Sequence, residues 1–243
     1  MTSSDDFDGA PPFEVRCAAQ QRVPFVFNSP HSGRYYPSRF LAMSALDQHQ
    51  IRRSEDCFVD ELFGTSVSLG APILVAHFPR AYLDANREAW ELDPRMFSDA
   101  LPSFANTRSP RVAGGLGTVP RLVGEGLEIY SGRLPFEEAF RRIETIYKPY
   151  HDTLRRLVLS TRNAFGYCVL IDCHSMPSSI RLGENGLRPD FIVGDRDQTS
   201  HRDGLYRCAQ QALCGRFYHG ELRSPRPEAS CVADRGEQEA LYG

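Results

Sequence analysis

The chain has 243 residues, 41% of them apolar and 24% charged, and a net charge of −3. That length makes one large domain or two small ones, and the composition excludes a disordered or collagen-like chain. The charge balance gives no electrostatic footprint for nucleic acid, and no apolar run approaches the ~18 residues of a membrane span.

The first residues lack the apolar stretch of a secretory signal, and residues 1–12 read as a loose polar tail. Phe25-Val26-Phe27 reads as a strand, and the loop Asn28-Ser29-Pro30-His31-Ser32-Gly33 follows it. Ser54 is placed to cap a helix running to about Phe63, with Glu55 and Asp56 in its first turn. Residues 72–82 read as a second strand around Ile73-Leu74-Val75. The Gly- and Pro-containing stretch 91–128 reads as a long loop. Within it, Gly114 to Pro120 matches no phosphate-binding motif and is expected to be a mobile loop over a site.

From Phe136 through Val158 apolar residues recur with the period of a helix, which Pro149 should kink or split and Gly166 should end. Residues 167–171 read as a buried parallel strand, 191–193 as another strand and 202–215 as a further helix. Strands alternating with helices predict an α/β sheet, whose ligands gather beyond the carboxyl ends of the strands. The seven cysteines form no Cys-x-x-Cys pair, so they read as free thiols of a reducing cytoplasm rather than a structural zinc site.

Four segments carry candidate chemistry. His31 and His174 each lie just past a predicted strand, and two imidazoles with one carboxylate suit a zinc ion that keeps a position open for water. Asp172 could orient an imidazole from behind. On a helical wheel Glu55 falls mid-way along the apolar face and Asp56 at its edge, so either could turn inward; both could equally serve only the helix dipole. Asn86 and Arg87 make a credible carboxylate clamp, with Arg80 adding charge; the plainer alternative is a surface ion pair. All 28 basic residues except Lys148 are Arg. That bias reads mainly as genomic background, with a few guanidiniums available for carboxylates. Cys173 reads as a core thiol rather than a nucleophile. His151 fits either a polar role at the site or a structural one.

Taken together, SPHSG at 29–33, SEDCFVDELF at 54–63, RAYLDANR at 80–87, GLGTVPR at 115–121, RRIETIYKPYHDTL at 141–154 and VLIDCHSM at 169–176 resemble the N-formylglutamate amidohydrolase (deformylase) family. The resemblance runs from about residue 23 to 217. It implies a single-domain, three-layer α/β fold with a mixed, largely parallel sheet. That fold is phosphorylase/hydrolase-like and similar to zinc exopeptidases. It implies a bacterial cytoplasmic hydrolase with one Zn2+ that cleaves N-formyl-L-glutamate to formate and L-glutamate in histidine breakdown. The implied metal ligands are His31, Asp56 and His174, and the implied substrate-binding residues are Arg80, Asn86 and Arg87. The resemblance thus points to Asp56 where the helical wheel favours Glu55, and the third ligand stays open between them.

The partner expected is a small N-acyl amino acid, with no nucleic acid and no membrane; the sequence does not specify an oligomeric state. Family members carry a glutamate general base near the C-terminus, but residues 219–243 do not align with that part. The domain is therefore expected to span 13–218, followed by an atypical tail, frame-shifted or truncated, that leaves the base unidentified and the activity impaired. The alternatives are a zinc amidohydrolase for another N-acyl amino acid and a non-catalytic remnant that binds metal or carboxylate.

Overall fold

Short apolar runs flanked by Pro and Gly build the sheet. The computed structural model describes residues 7, 9–124, 126–177, 190, 192–195 and 215–219. Its first elements are β1 (Phe13–Arg16), β2 (Phe25–Ser29), α1 (Ser38–Met43), the single-turn α2 (Val59–Leu62) and β3 (Ile73–Ala76). The one-turn α3 (Pro110–Ala113) and the hairpin β4 (Leu122–Val123) and β5 (Leu127–Glu128) come next. Helices α4 (Phe136–Arg142) and α5 (Lys148–Phe165) precede β6 (Val169–Asp172), β7 (Val193–Asp195) and β8 (Gly215–His219).

Six strands form one sheet in the order β1-β3-β2-β6-β8-β7. Strand β2 runs parallel to both β3 and β6, and β7 parallel to β8, whereas β1 and β8 are antiparallel to β3 and β6. The fold is α/β with a mixed, largely parallel sheet, as the sequence predicts. The parallel alignment of β3, β2 and β6 brings three carboxyl ends to one edge, and that edge carries the chemistry. Register matters there: Asn28 of β2 lies directly opposite Asp172 of β6.

The long helical pattern is split as Pro149 predicts. A π-helical turn, Ile143–Tyr147, joins α4 to α5. Pro149 has no N–H to donate, and its ring crowds the carbonyl four residues back, so the chain widens just ahead of it. Gly166 ends α5 in the left-handed region at φ 85°, with its N–H bonded to the Arg162 carbonyl.

Four expectations change. Ser54 closes a 3-10 turn, Ile51–Ser54, and caps no helix. The chain then extends through Glu55, and Phe58 takes a left-handed φ of 62° before α2 begins. The stretch 91–128 is packed at both ends, not loose throughout: Leu92, Asp93, Thr118 and Val119 are fully buried. Strand β8 was not anticipated, and it begins where the predicted helix 202–215 was to end; residues 202–214 lie outside the described residues. Within the segment read as a loose tail, Phe7 is buried against Tyr35 and Tyr82. No helix among the described residues is long and apolar enough to cross a membrane.

Candidate metal centre

Each strand end delivers one part of the centre. The loop after β2 carries His31, the segment after β3 carries Asp84, Asn86 and Arg87, and His174 follows β6. Asp56 comes from the extended stretch before α2, where its N–H donates to the His31 carbonyl (3.0 Å). That bond ties the two segments together and turns the Asp56 side chain inward. His31, Asp56 and His174 each offer a ligand atom, and these atoms lie within 4.8 Å of one another.

The hydrogen bonds around the cluster fix where its lone pairs point. Asp172 accepts from Asn28 Nδ2 at 2.8 Å and from Asn86 Nδ2 at 2.7 Å, and it faces His174 Nε2 at 3.1 Å. An ionised carboxylate only accepts, so His174 Nε2 carries hydrogen. A neutral His174 ring then aims the Nδ1 lone pair at Asp56 Oδ2, 2.7 Å away. Two acceptors at that distance require a cation between them, either a proton or a metal.

His31 repeats the pattern. Its Nε2 meets Asp84 Oδ1 at 2.8 Å, and Asp84 is held ionised by Arg80 at 3.1 Å and Arg87 at 3.4 Å. His31 Nδ1 is buried, has no hydrogen-bond partner among the described residues, and lies 3.6 Å from Asp56 Oδ2. The two imidazole nitrogens and the carboxylate oxygen therefore converge, each imidazole backed by its own aspartate. This donor set fits a divalent cation, and a ring supported from behind by a carboxylate is how metal-binding histidines are oriented.

Without a metal, protons and ion pairs carry the balance. Burial by itself lowers the His174 pKa, but Asp172 and Asp56 reverse this and raise it to about 9. Burial opposes the charge on Asp56, yet His174 and His31 hold its carboxyl well below the usual carboxylate range. Asp84 is likewise held low against its burial, by Arg80, His31 and Arg87.

The choice between the two acids is geometric. Glu55 accepts from the Tyr36 hydroxyl at 2.6 Å and pairs with Arg52 at 3.0 Å, while Asp56 faces both imidazoles. The helical wheel fails here because residues 55–58 are not helical. Arg80, Asn86 and Arg87 do gather beside the centre, but each already serves it. Asn86 donates to Asp172, and both guanidiniums pair with Asp84. Arg87 also donates from Nε to the Leu116 carbonyl and from Nη1 to the Asn86 carbonyl. One N–H on each terminal nitrogen remains to grip a carboxylate.

Cys173 is a buried core thiol as expected, and burial pushes its pKa up. His151 meets the Ala85 carbonyl at 2.9 Å and so braces the backbone beside Asn86. Sequence reasoning left Asp84 without a role, although it lies in the segment singled out for its Asn-Arg pair. It also missed Asn28 and Tyr150, whose hydroxyl donates to Asn28 Oδ1 (2.5 Å) and completes a chain to Asp172. Glu237 and Glu239, two glutamates of the atypical tail to which the sequence assigns no role as base, lie outside the described residues.

Residues 23–222 match the profile of the N-formylglutamate amidohydrolase family. The N-formylglutamate deformylase of Pseudomonas putida is 30% identical over 177 residues, 72% of this chain and 60% of the relative. That of Pseudomonas aeruginosa is 27% identical over 233 residues, 95% of this chain and 74% of the relative. The crystal structure of N-formylglutamate amidohydrolase from Ralstonia eutropha superposes with a TM-score of 0.64 at 32% identity, covering 69% of this chain and 59% of that one. The chain thus spans about 60% of the length of the Pseudomonas putida relative.

Proposed function

The chain belongs to the N-formylglutamate amidohydrolase family, and on that premise we propose that it hydrolyses N-formyl-L-glutamate to formate and L-glutamate at one zinc ion. The ligands are His31, Asp56 and His174. The observation that carries this reading is the convergence of their three donor atoms, with a buried and unpartnered His31 Nδ1 among them. Zinc bound there supplies Lewis acidity toward a carbonyl oxygen and acidifies a water.

The chain's own residues do the rest. Asp84 and Asp172 keep hydrogen on the outer nitrogen of each ring, so that both inner lone pairs stay available. Asp84 also anchors Arg87, whose two remaining N–H groups take the carboxylate beside the scissile amide. Asn86, fixed by its hydrogen bond to Asp172, closes the side of the centre next to that arginine. We assign this reaction to histidine breakdown and the protein to the cytoplasm, as the family resemblance implies.

The test is metal analysis together with formate release, on the protein and on His31→Ala and His174→Ala. We expect near-stoichiometric zinc in the protein, formate release slowed by the atypical tail, and loss of both in each variant. Undiminished metal in both variants would overturn the site. Stoichiometric zinc with no hydrolysis would leave a binding protein.

A further inference from the structure

We propose that Arg111 receives the distal carboxylate of the substrate and so selects N-acyl amino acids with an acidic side chain over neutral ones. The proposal rests on the reading above and names a specificity residue for it.

Arg111 sits on α3, a single turn fixed at its start by Ser109, whose hydroxyl accepts from the Val112 N–H (3.0 Å), and by Pro110 in its first position. The backbone of Leu116 links it to the centre. The Leu116 N–H donates to the Arg111 carbonyl at 2.8 Å, and the Leu116 carbonyl accepts from Arg87 Nε at 2.9 Å. Tight packing holds that link: a side chain at Gly117 would drive into the Glu91 carbonyl, 2.2 Å away. The Arg111 backbone and the Arg87 side chain are thus tied to the N–H and the carbonyl of one residue, Leu116.

The charges there do not balance. Arg80 and Arg87 share a single carboxylate, Asp84. Arg111 is exposed, and its side chain makes no hydrogen bond or ion pair among the described residues. The Arg111 charge also acts on Arg87. Burial lowers the Arg87 pKa most and Asp84 raises it, but the next effect is repulsion from Arg111, ahead of that from Arg80. Glu91, the other acid acting on Arg87, is engaged by the Ser109 hydroxyl.

Like charges held together in this way are relieved by an anion that bridges them. Arg87 is mostly buried and tied through Asp84 to His31, so it takes the carboxylate nearer the amide. Arg111 is further out and solvent-exposed, and it suits a second carboxylate at the end of a short side chain. A neutral side chain leaves its charge uncompensated.

The experiment compares Arg111→Gln and Arg111→Lys with the unaltered protein, all zinc-loaded. Calorimetry gives the affinity for L-glutamate and L-glutamine, which cannot be hydrolysed, and kinetics give kcat/KM for N-formyl-L-glutamate and N-formyl-L-glutamine. We expect the protein to prefer the acidic member by about 10-fold or more, the scale of a charge-assisted contact. Arg111→Gln should lose that preference without losing affinity for L-glutamine, and Arg111→Lys should keep part of it. Zinc content and thermal midpoint should be unchanged in both. Binding and turnover with an unchanged acidic-to-neutral ratio in Arg111→Gln would overturn the role of Arg111 alone. An unaltered protein that neither binds these amino acids nor releases formate would overturn the proposed function, and this role with it.

Discussion

Asp84 is the residue on which most of the centre depends. It accepts from the backbone N–H of Asn86 at 2.9 Å, faces His31 Nε2, and pairs with two arginines. Asp84→Asn removes a buried charge from among four cationic or donor partners and leaves the guanidiniums uncompensated. We expect a loss of about 3–5 kcal/mol of stability, the usual cost of breaking a buried ion pair. Zinc affinity should fall by about 10- to 100-fold, because His31 loses the partner that fixes its tautomer. Denaturant unfolding of metal-free protein and a zinc competition titration measure the two separately. The two candidate ligand histidines were legible in the sequence, since each follows a strand-like run. The role of Asp84 was not, because pairing an aspartate with a histidine 53 positions away needs the sheet. The same holds for Glu55 against Asp56: adjacent acids are separated by backbone direction, and the left-handed Phe58 is not written in composition.

At the scale of elements, strands β2, β3 and β6 and the main helix followed from apolar runs, Pro149 and Gly166, while residues 91–128 did not. Gly and Pro there mark turns, but the packing of the turns comes from buried polar anchors. Asp93 is the chief of these. It caps the 3-10 turn Pro94–Met96 by accepting from the Arg95 N–H (3.0 Å), and it pairs with the Arg95 and Arg121 side chains, both at 2.8 Å. Burial raises its pKa, but Arg95 and Arg121 prevail and hold it below the ordinary carboxylate value. A carboxyl with a lowered folded-state pKa contributes stability above its unfolded value of about 3.9, and that contribution is lost as the pH falls through the folded value. Asp93→Asn should therefore be less stable than the parent at neutral pH, by about 1–3 kcal/mol. The difference should shrink as the pH drops below about 4, where the parent's own carboxyl protonates. Urea midpoints of both proteins across pH 3 to 7 would show the two curves converging on the acid side; curves that stay parallel would assign the segment's stability to other contacts.

For the whole molecule, the centre is a staple across distant parts of the chain. Asp56 and His174 are 118 positions apart, and they meet because β2 and β6 are parallel neighbours. The unfolded chain has no such meeting point, so a metal that binds only the folded state adds its binding free energy to folding. At free zinc about 100-fold above its dissociation constant the gain is about 2.7 kcal/mol. The thermal midpoint should then rise with zinc concentration, return to the metal-free value with a chelator, and cease to respond in His31→Ala. The response should also survive in Arg111→Gln, which leaves the staple intact and alters only what is held beside it. A midpoint indifferent to zinc in the unaltered protein would mean that the three converging lone pairs are satisfied by the His174 proton alone, and that the centre closes without a metal.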